Sequence, residues 1–217
     1  MRVEVCCIGS VEEAQLAIRY GAHAVGLVSA MSTGTGIIPD DLIREIARAI
    51  PSGSDSFLLT SRTRPEAIID HQRGTSVTTI QLVDRVTPDD LAYAKDALPG
   101  VSIVQVVHVT GAAAVDEAIS SATVADALLL DSGTPDGPER ALGGSGRTHD
   151  WSISRQIIER VRCPVFLAGG LNPLNVTGAI HEVRPFGVDV CSGLRPQGPL
   201  DEALLSSFMS AVARAAA

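Results

Sequence analysis

The sequence predicts an α/β fold, a (β/α)8 TIM barrel built as a single domain over residues 1–217, and three observations lead there. Short β-rich apolar runs alternate with helical patterns at a spacing of about 25 residues, the mark of repeated βα units. Eight such runs can be counted, which leaves about 27 residues per unit, near the lower end for a closed barrel. Several runs are apolar without alternation, as parallel strands covered on both faces require. An open doubly wound sheet is the competing arrangement, and the count of eight favours the barrel.

The strand candidates, in order, are Val3–Ile8, Ala24–Val28, Ser56–Thr60, Thr78–Leu82, Ser102–Val107, Ala127–Leu130, Val165–Ala168 and Gly187–Cys191. The helices between them mark their own ends. Ser10-Val11-Glu12-Glu13 reads as a capping box, with the serine accepting from the N3 amide and Glu13 reaching back, and Gly21 closes that helix. Pro39, Pro88 and Pro173 each suit a first helical position, where no N–H is needed. The pairs Asp40–Asp41 and Asp89–Asp90 complement the positive start of a helix. No Ser/Pro/Gly tract or charge block divides the chain, and the longest irregular stretch, about Ser132 to Thr148, lies inside one βα unit.

Composition narrows the function. A formal charge of -8 argues against a binder of nucleic acid, which needs a clustered basic surface. No apolar run approaches the roughly 20 residues that span a bilayer, so the expectation is a soluble, cytoplasmic protein with no membrane partner. The cysteines, an adjacent pair Cys6 and Cys7 plus Cys163 and Cys191, have the spacing of neither a zinc site nor a disulfide scaffold, and reduced thiols are expected. His23, His71, His108, His149 and His181 show no metal-like clustering, so no metal is expected.

In such a barrel chemistry sits where strands end and helices begin. Asp131 stands at the end of an apolar run and opens a glycine-rich stretch from Leu128 to Trp151. The same reasoning selects Cys6 or Cys7, the turn Ala168-Gly169-Gly170-Leu171-Asn172-Pro173, and Cys191-Ser192-Gly193-Leu194. Glycines after the seventh and eighth strands let backbone N–H groups approach an anion, where barrels of this type often hold a phosphate. Gly144, Gly146, Gly169, Gly170, Ser192 and Gly193 are the phosphate-binding candidates. His108 ends the fifth strand, and packing or solvent contact is its expected role.

Four stretches carry a family likeness: D-S…G-G-S-G-R-T-H-D-W from Asp131, A-G-G-L-N-P-L-N-V from Ala168, G-V-D-V-C-S-G from Gly187, and the N-terminal V-E-V-C-C-I-G. Together they resemble phosphoribosylanthranilate isomerase along most of the chain. The resemblance implies a cofactor-independent Amadori rearrangement in tryptophan biosynthesis, with a phosphorylated sugar-amine as ligand and a monomer or homodimer as assembly. It implies Asp131 as general acid on the furanose ring oxygen and Cys6 as general base at C2′. The chain also departs from the family pattern. Glu4 replaces a lysine, Cys7 a glycine, Cys191 a serine and Thr35 an arginine that the family uses around the substrate carboxylate; Arg195 replaces an acid, and Gln81-Leu82-Val83-Asp84 replaces Q-L-H-G. Threonine cannot supply the bidentate contact of a guanidinium. Arg62, or Arg85, is the expected source of a compensating charge, with Arg62 assigned to the substrate carboxylate. The alternatives are a phosphate-ligand-binding paralogue without catalysis and an isomerase of a different aminosugar phosphate.

Overall fold

The computed structural model describes residues 1–32, 34–133 and 146–216. Strands and helices alternate: β1 (Arg2–Val5), α1 (Val11–Arg19), β2 (Ala24–Val28), α2 (Asp40–Ala49), β3 (Asp55–Thr60), α3 (Pro65–Thr75), β4 (Thr79–Leu82) and α4 (Pro88–Ala97). They continue as β5 (Ser102–His108), α5 (Ala113–Ser121), β6 (Ala127–Asp131), α6 (Trp151–Arg160), β7 (Val165–Leu167), α7 (Val176–Val183), β8 (Gly187–Val190) and α8 (Glu202–Ala215). A single 3-10 turn, Ser192–Leu194, follows β8. All strand pairs are parallel, and β8 closes on β1 to complete an eight-stranded barrel.

Alternation along the strands sorts side chains into two apolar layers. Val28, Phe57, Leu59, Val104, Val106, Leu129 and Phe166 form one cluster inside the barrel. Val3, Val5, Leu27, Leu58, Ile80, Leu128 and Val188 point outward and pack under the helices, with Phe208 of α8 fully buried among them. Burial of each such side chain is worth about 1.5–3 kcal/mol, so the shell and the interior together hold the strand ends that carry the site.

Several ends fall differently from the sequence reading, each for a local reason. β1 stops at Val5 because Cys7 has a φ of 60°, the left-handed region that breaks an extended strand. Asp131 is the last residue of β6 rather than the first beyond it. Ser10 caps α1 by accepting from the Glu13 amide at 3.2 Å, but Glu13 reaches past the cap to the Gly9 amide at 3.0 Å. Pro88 opens α4 as expected, whereas Pro39 is the residue before α2. Pro173 lies in a turn ahead of α7, where Asn172 Oδ1 accepts the amides of Leu174 and Asn175 at 2.9 and 3.2 Å and delays the helix to Val176.

Candidate active site

The carboxyl ends of the strands surround a cavity of about 680 Å³, open solvent at its mouth included. Cys6 and Asp131 both line it, and both are buried. Asp131 is fixed by one carboxylate oxygen accepting the Ser132 amide at 2.8 Å. Burial pushes the Cys6 thiol well above its ordinary range, and the acids Asp189 and Glu4 push it further. Those acids are register partners on neighbouring strands, and both project inward below Cys6. Burial, then the Asp131 charge, raises Asp189 to about 8, while burial and Asp189 raise Glu4.

Of the phosphate candidates, Gly169, Gly170 and Ser192 line the cavity, and Gly193 packs on Leu171 of that lining. A Cβ on Gly193 would stand 2.0 Å from the Leu171 carbonyl oxygen, so only glycine lets the β8 loop lie on the β7 loop. Gly170 makes the matching approach to the Arg147 backbone, at 2.6 Å from a Cβ built there. Gly146 lies near Ser192, 3.7 Å from Cβ position to hydroxyl, and Gly144 lies outside the described residues. The loops after β6, β7 and β8 therefore interlock through their glycines.

Three sequence readings are corrected. Cys7 and Cys191, expected as reduced packing residues, form a disulfide 184 residues apart in sequence. Barrel closure accounts for it: β1 and β8 are neighbours, so loops at opposite ends of the chain meet. Arg62 does not enter the cavity lining. Its guanidinium donates to the Ala67 carbonyl at 3.2 Å, at the start of α3. Arg85 pairs with Glu117, and Arg195 makes a two-pronged ion pair with Glu13, at 3.1 and 2.8 Å, that ties the β8 loop to α1. Among the described residues, no lysine or arginine lines the cavity, and Thr35 does. Cys7 Sγ rests 3.6 Å from the Thr35 carbonyl, a packing contact because a disulfide sulfur has no proton to donate. His108 Nε2 donates to the Val83 carbonyl, 2.9 Å away.

Sequence reasoning passed over Asp189 and the burial of Glu4. The signal was available: each is an acid flanked by valines on a strand, so alternation turns it to the same side as Cys6. Glu4, Cys6 and Asp189 each place one donor atom within 4.8 Å of the others.

A thiol and a carboxylic acid at the carboxyl end of a closed (β/α)8 barrel, beside interlocked glycine loops, define a barrel enzyme of the acid–base type. The profile of the N-(5'-phosphoribosyl)anthranilate isomerase family matches residues 61–211, and the chain belongs to that family. The isomerase of Methanocella arvoryzae is 37% identical over 196 residues, covering 90% of each chain. That of Halobacterium salinarum is 37% identical over 221 residues, covering 100% of this chain and 96% of its own. Among solved structures, the isomerase of Thermotoga maritima superposes with a TM-score of 0.85 at 29% identity over 99% of both chains. A phosphoribosyl anthranilate isomerase in complex with reduced 1-(o-carboxyphenylamino)-1-deoxyribulose 5-phosphate superposes with a TM-score of 0.82 at 26% identity, again over 99% of both.

Proposed function

We propose that this protein converts N-(5-phosphoribosyl)anthranilate to 1-(2-carboxyphenylamino)-1-deoxyribulose 5-phosphate in tryptophan biosynthesis. The observation that carries the reading is the placement of Cys6 and Asp131 on the wall of one cavity, at the positions that match the family's motifs. Asp131 donates a proton to the furanose ring oxygen, and the ring opens to a cationic Schiff base. Cys6, as thiolate, removes the C2′ proton, and the electron pair moves to the nitrogen to give an enolamine. The enol then tautomerises to the ketone. The phosphate lies against the amides of the Gly169–Gly170 and Ser192–Gly193 turns, the place where barrels of this kind gather N–H groups.

A second reading is favoured by the cavity wall, which holds no cation among its described residues. An aminosugar phosphate without a carboxylate on its amine would need none. Phosphoribosylanthranilate generated in situ distinguishes the two through loss of its fluorescence. Consumption by wild type, lost in Cys6→Ser and Asp131→Asn, supports the first reading, and no consumption by folded wild type refutes it.

Two coarser matters belong to the same proposal. One related structure is described as a monomeric form of a dimeric isomerase from Thermotoga maritima; a monomer or a homodimer is proposed here, and sedimentation decides. No described helix is long and apolar enough to cross a membrane. Cytoplasmic residence is proposed, and cell fractionation tests it.

A further inference from the structure

Glu4 has no task in the reaction above, yet it is fully buried, and among the described residues neither of its carboxylate oxygens has a hydrogen-bond partner. Across the β1–β8 seam, Asp189 Oδ1 is also without a partner. An oxygen of each acid and Cys6 Sγ lie within 4.8 Å of one another. Gly26 of β2 makes the space, since a Cβ there would stand 2.7 Å from Glu4 Oε1 and 2.9 Å from Cys6 Sγ. Two bare carboxylates this close, out of water, keep a proton rather than both ionise. On the other side of Cys6, Cys7 Sγ is 4.0 Å away and is bonded to Cys191.

We propose that Glu4 is a positioning residue which, with Asp189, holds Cys6 as a neutral thiol in the empty site and so keeps the base from attacking the disulfide beside it. The step prevented is an exchange. A Cys6 thiolate attacks Cys7 Sγ, the Cys6–Cys7 bond forms, the Cys7–Cys191 bond breaks, and the electron pair leaves on Cys191 as a thiolate. No oxidant or reductant is consumed, and the base is lost. A thiol does not attack in this way. The cationic Schiff base supplies the release, because a positive charge at the mouth favours the thiolate.

The charges around Cys6 agree with this assignment. Glu4 on β1 and Asp189 on β8 both hold the proton on sulfur, while Asp131 on β6 acts against the ionisation of Asp189. Arg195, beyond β8, acts in the opposite direction, but its guanidinium is engaged by Glu13. On β2 it is Gly26 that stands beside Glu4 and Cys6, with no side chain to add a charge.

The proposal rests on the isomerase reading only for the role of Cys6 as base, and its test needs no substrate. The intact protein is alkylated with iodoacetamide across a pH series, and each cysteine is followed by mass spectrometry, with the free, half-buried Cys163 as internal reference. In wild type the pH midpoint of Cys6 alkylation is expected above that of Cys163. Glu4→Gln combined with Asp189→Asn, which removes the charge the pair shares, raises the Cys6 rate at pH 8 by about tenfold, the equivalent of one pKa unit. Glu4→Lys raises it further, and alkylated Cys191 accumulates as exchange is trapped. An unchanged Cys6 midpoint in both folded variants makes Glu4 a space-filler and overturns the proposal. Faster Cys6 alkylation in Glu4→Lys without alkylated Cys191 overturns the protective role. A wild-type Cys6 midpoint below that of Cys163 overturns it with no variant needed. Wild type that leaves phosphoribosylanthranilate unconsumed refutes the activity and leaves this titration to judge Glu4.

Discussion

The mouth of this barrel has two sides of different character. On the β6–β7 side, Asp131 and the glycine turns keep the family's motif, and the loops interlock through contacts that only glycine allows. On the β1–β8 seam the chain departs from that pattern at Glu4, Cys7 and Cys191. The last two are bonded to each other, and Glu4 and Cys7 stand beside Cys6. These departures form one spatial unit, although 187 residues separate Glu4 from Cys191 in the chain. A buried acid below the thiol and a disulfide beside it are two parts of one environment.

Breaking the β6 side should have the largest effect. Asp131→Asn removes the proposed proton donor and is expected to lower kcat by about 10²- to 10⁴-fold, the usual worth of a positioned acid, in the fluorescence assay. The fold should survive, which circular dichroism checks. On the seam, Cys191→Ser removes the disulfide, and urea unfolding should show a loss of about 2–5 kcal/mol. Reduction of wild type by dithiothreitol should reproduce the loss. If neither treatment changes stability, the Cys7–Cys191 bond contributes nothing to the seam.

Gly193→Ala should come next, because its methyl group meets the Leu171 carbonyl. Forcing the β7 and β8 loops apart is expected to cost about 1–3 kcal/mol, the usual range for overpacking. It should also raise KM for a phosphorylated substrate. A KM unchanged in the folded variant would remove that turn from the phosphate site.

A smaller effect separates the two sides by pH. Asp189 and Glu4 are raised above their unfolded values, so the native state binds their protons more tightly than the unfolded chain does. Their contribution to stability is complete below pH about 4 and declines as pH rises through about 8, the native value of Asp189. Glu13 is lowered with Arg195 as a partner and contributes in the opposite sense, above its unfolded value and lost in acid. Thermal melts should therefore show a shallower alkaline decline in Glu4→Gln than in wild type. An identical decline would mean that Glu4 gains no proton on folding. Arg62→Ala should do least. Its guanidinium caps a carbonyl at the start of α3, outside the cavity lining, and KM should not move.

The barrel was legible in the sequence because its signals are local. Apolar runs such as Leu128–Leu130, and caps such as Ser10, announce themselves within a few residues. Asp131 and the glycine turns were legible for the same reason. The seam was not, because its meaning depends on closure. Cys7 and Cys191 have no informative spacing until β8 pairs with β1, and Glu4 is unremarkable until Asp189 lies beside it. Arg62 failed as a predicted ligand because position just past a strand does not fix where a long side chain points, and a nearby carbonyl captured its guanidinium.

Cys6, the proposed base, stands in an environment that holds its proton. The most direct measurement is kcat/KM of wild type for phosphoribosylanthranilate from about pH 5 to 9.5. It should show turnover that rises towards alkaline pH, as the thiol held by burial, Asp189 and Glu4 begins to yield its proton. No turnover at any pH, or activity greatest near the acid end, where such a thiol is fully protonated, would contradict it.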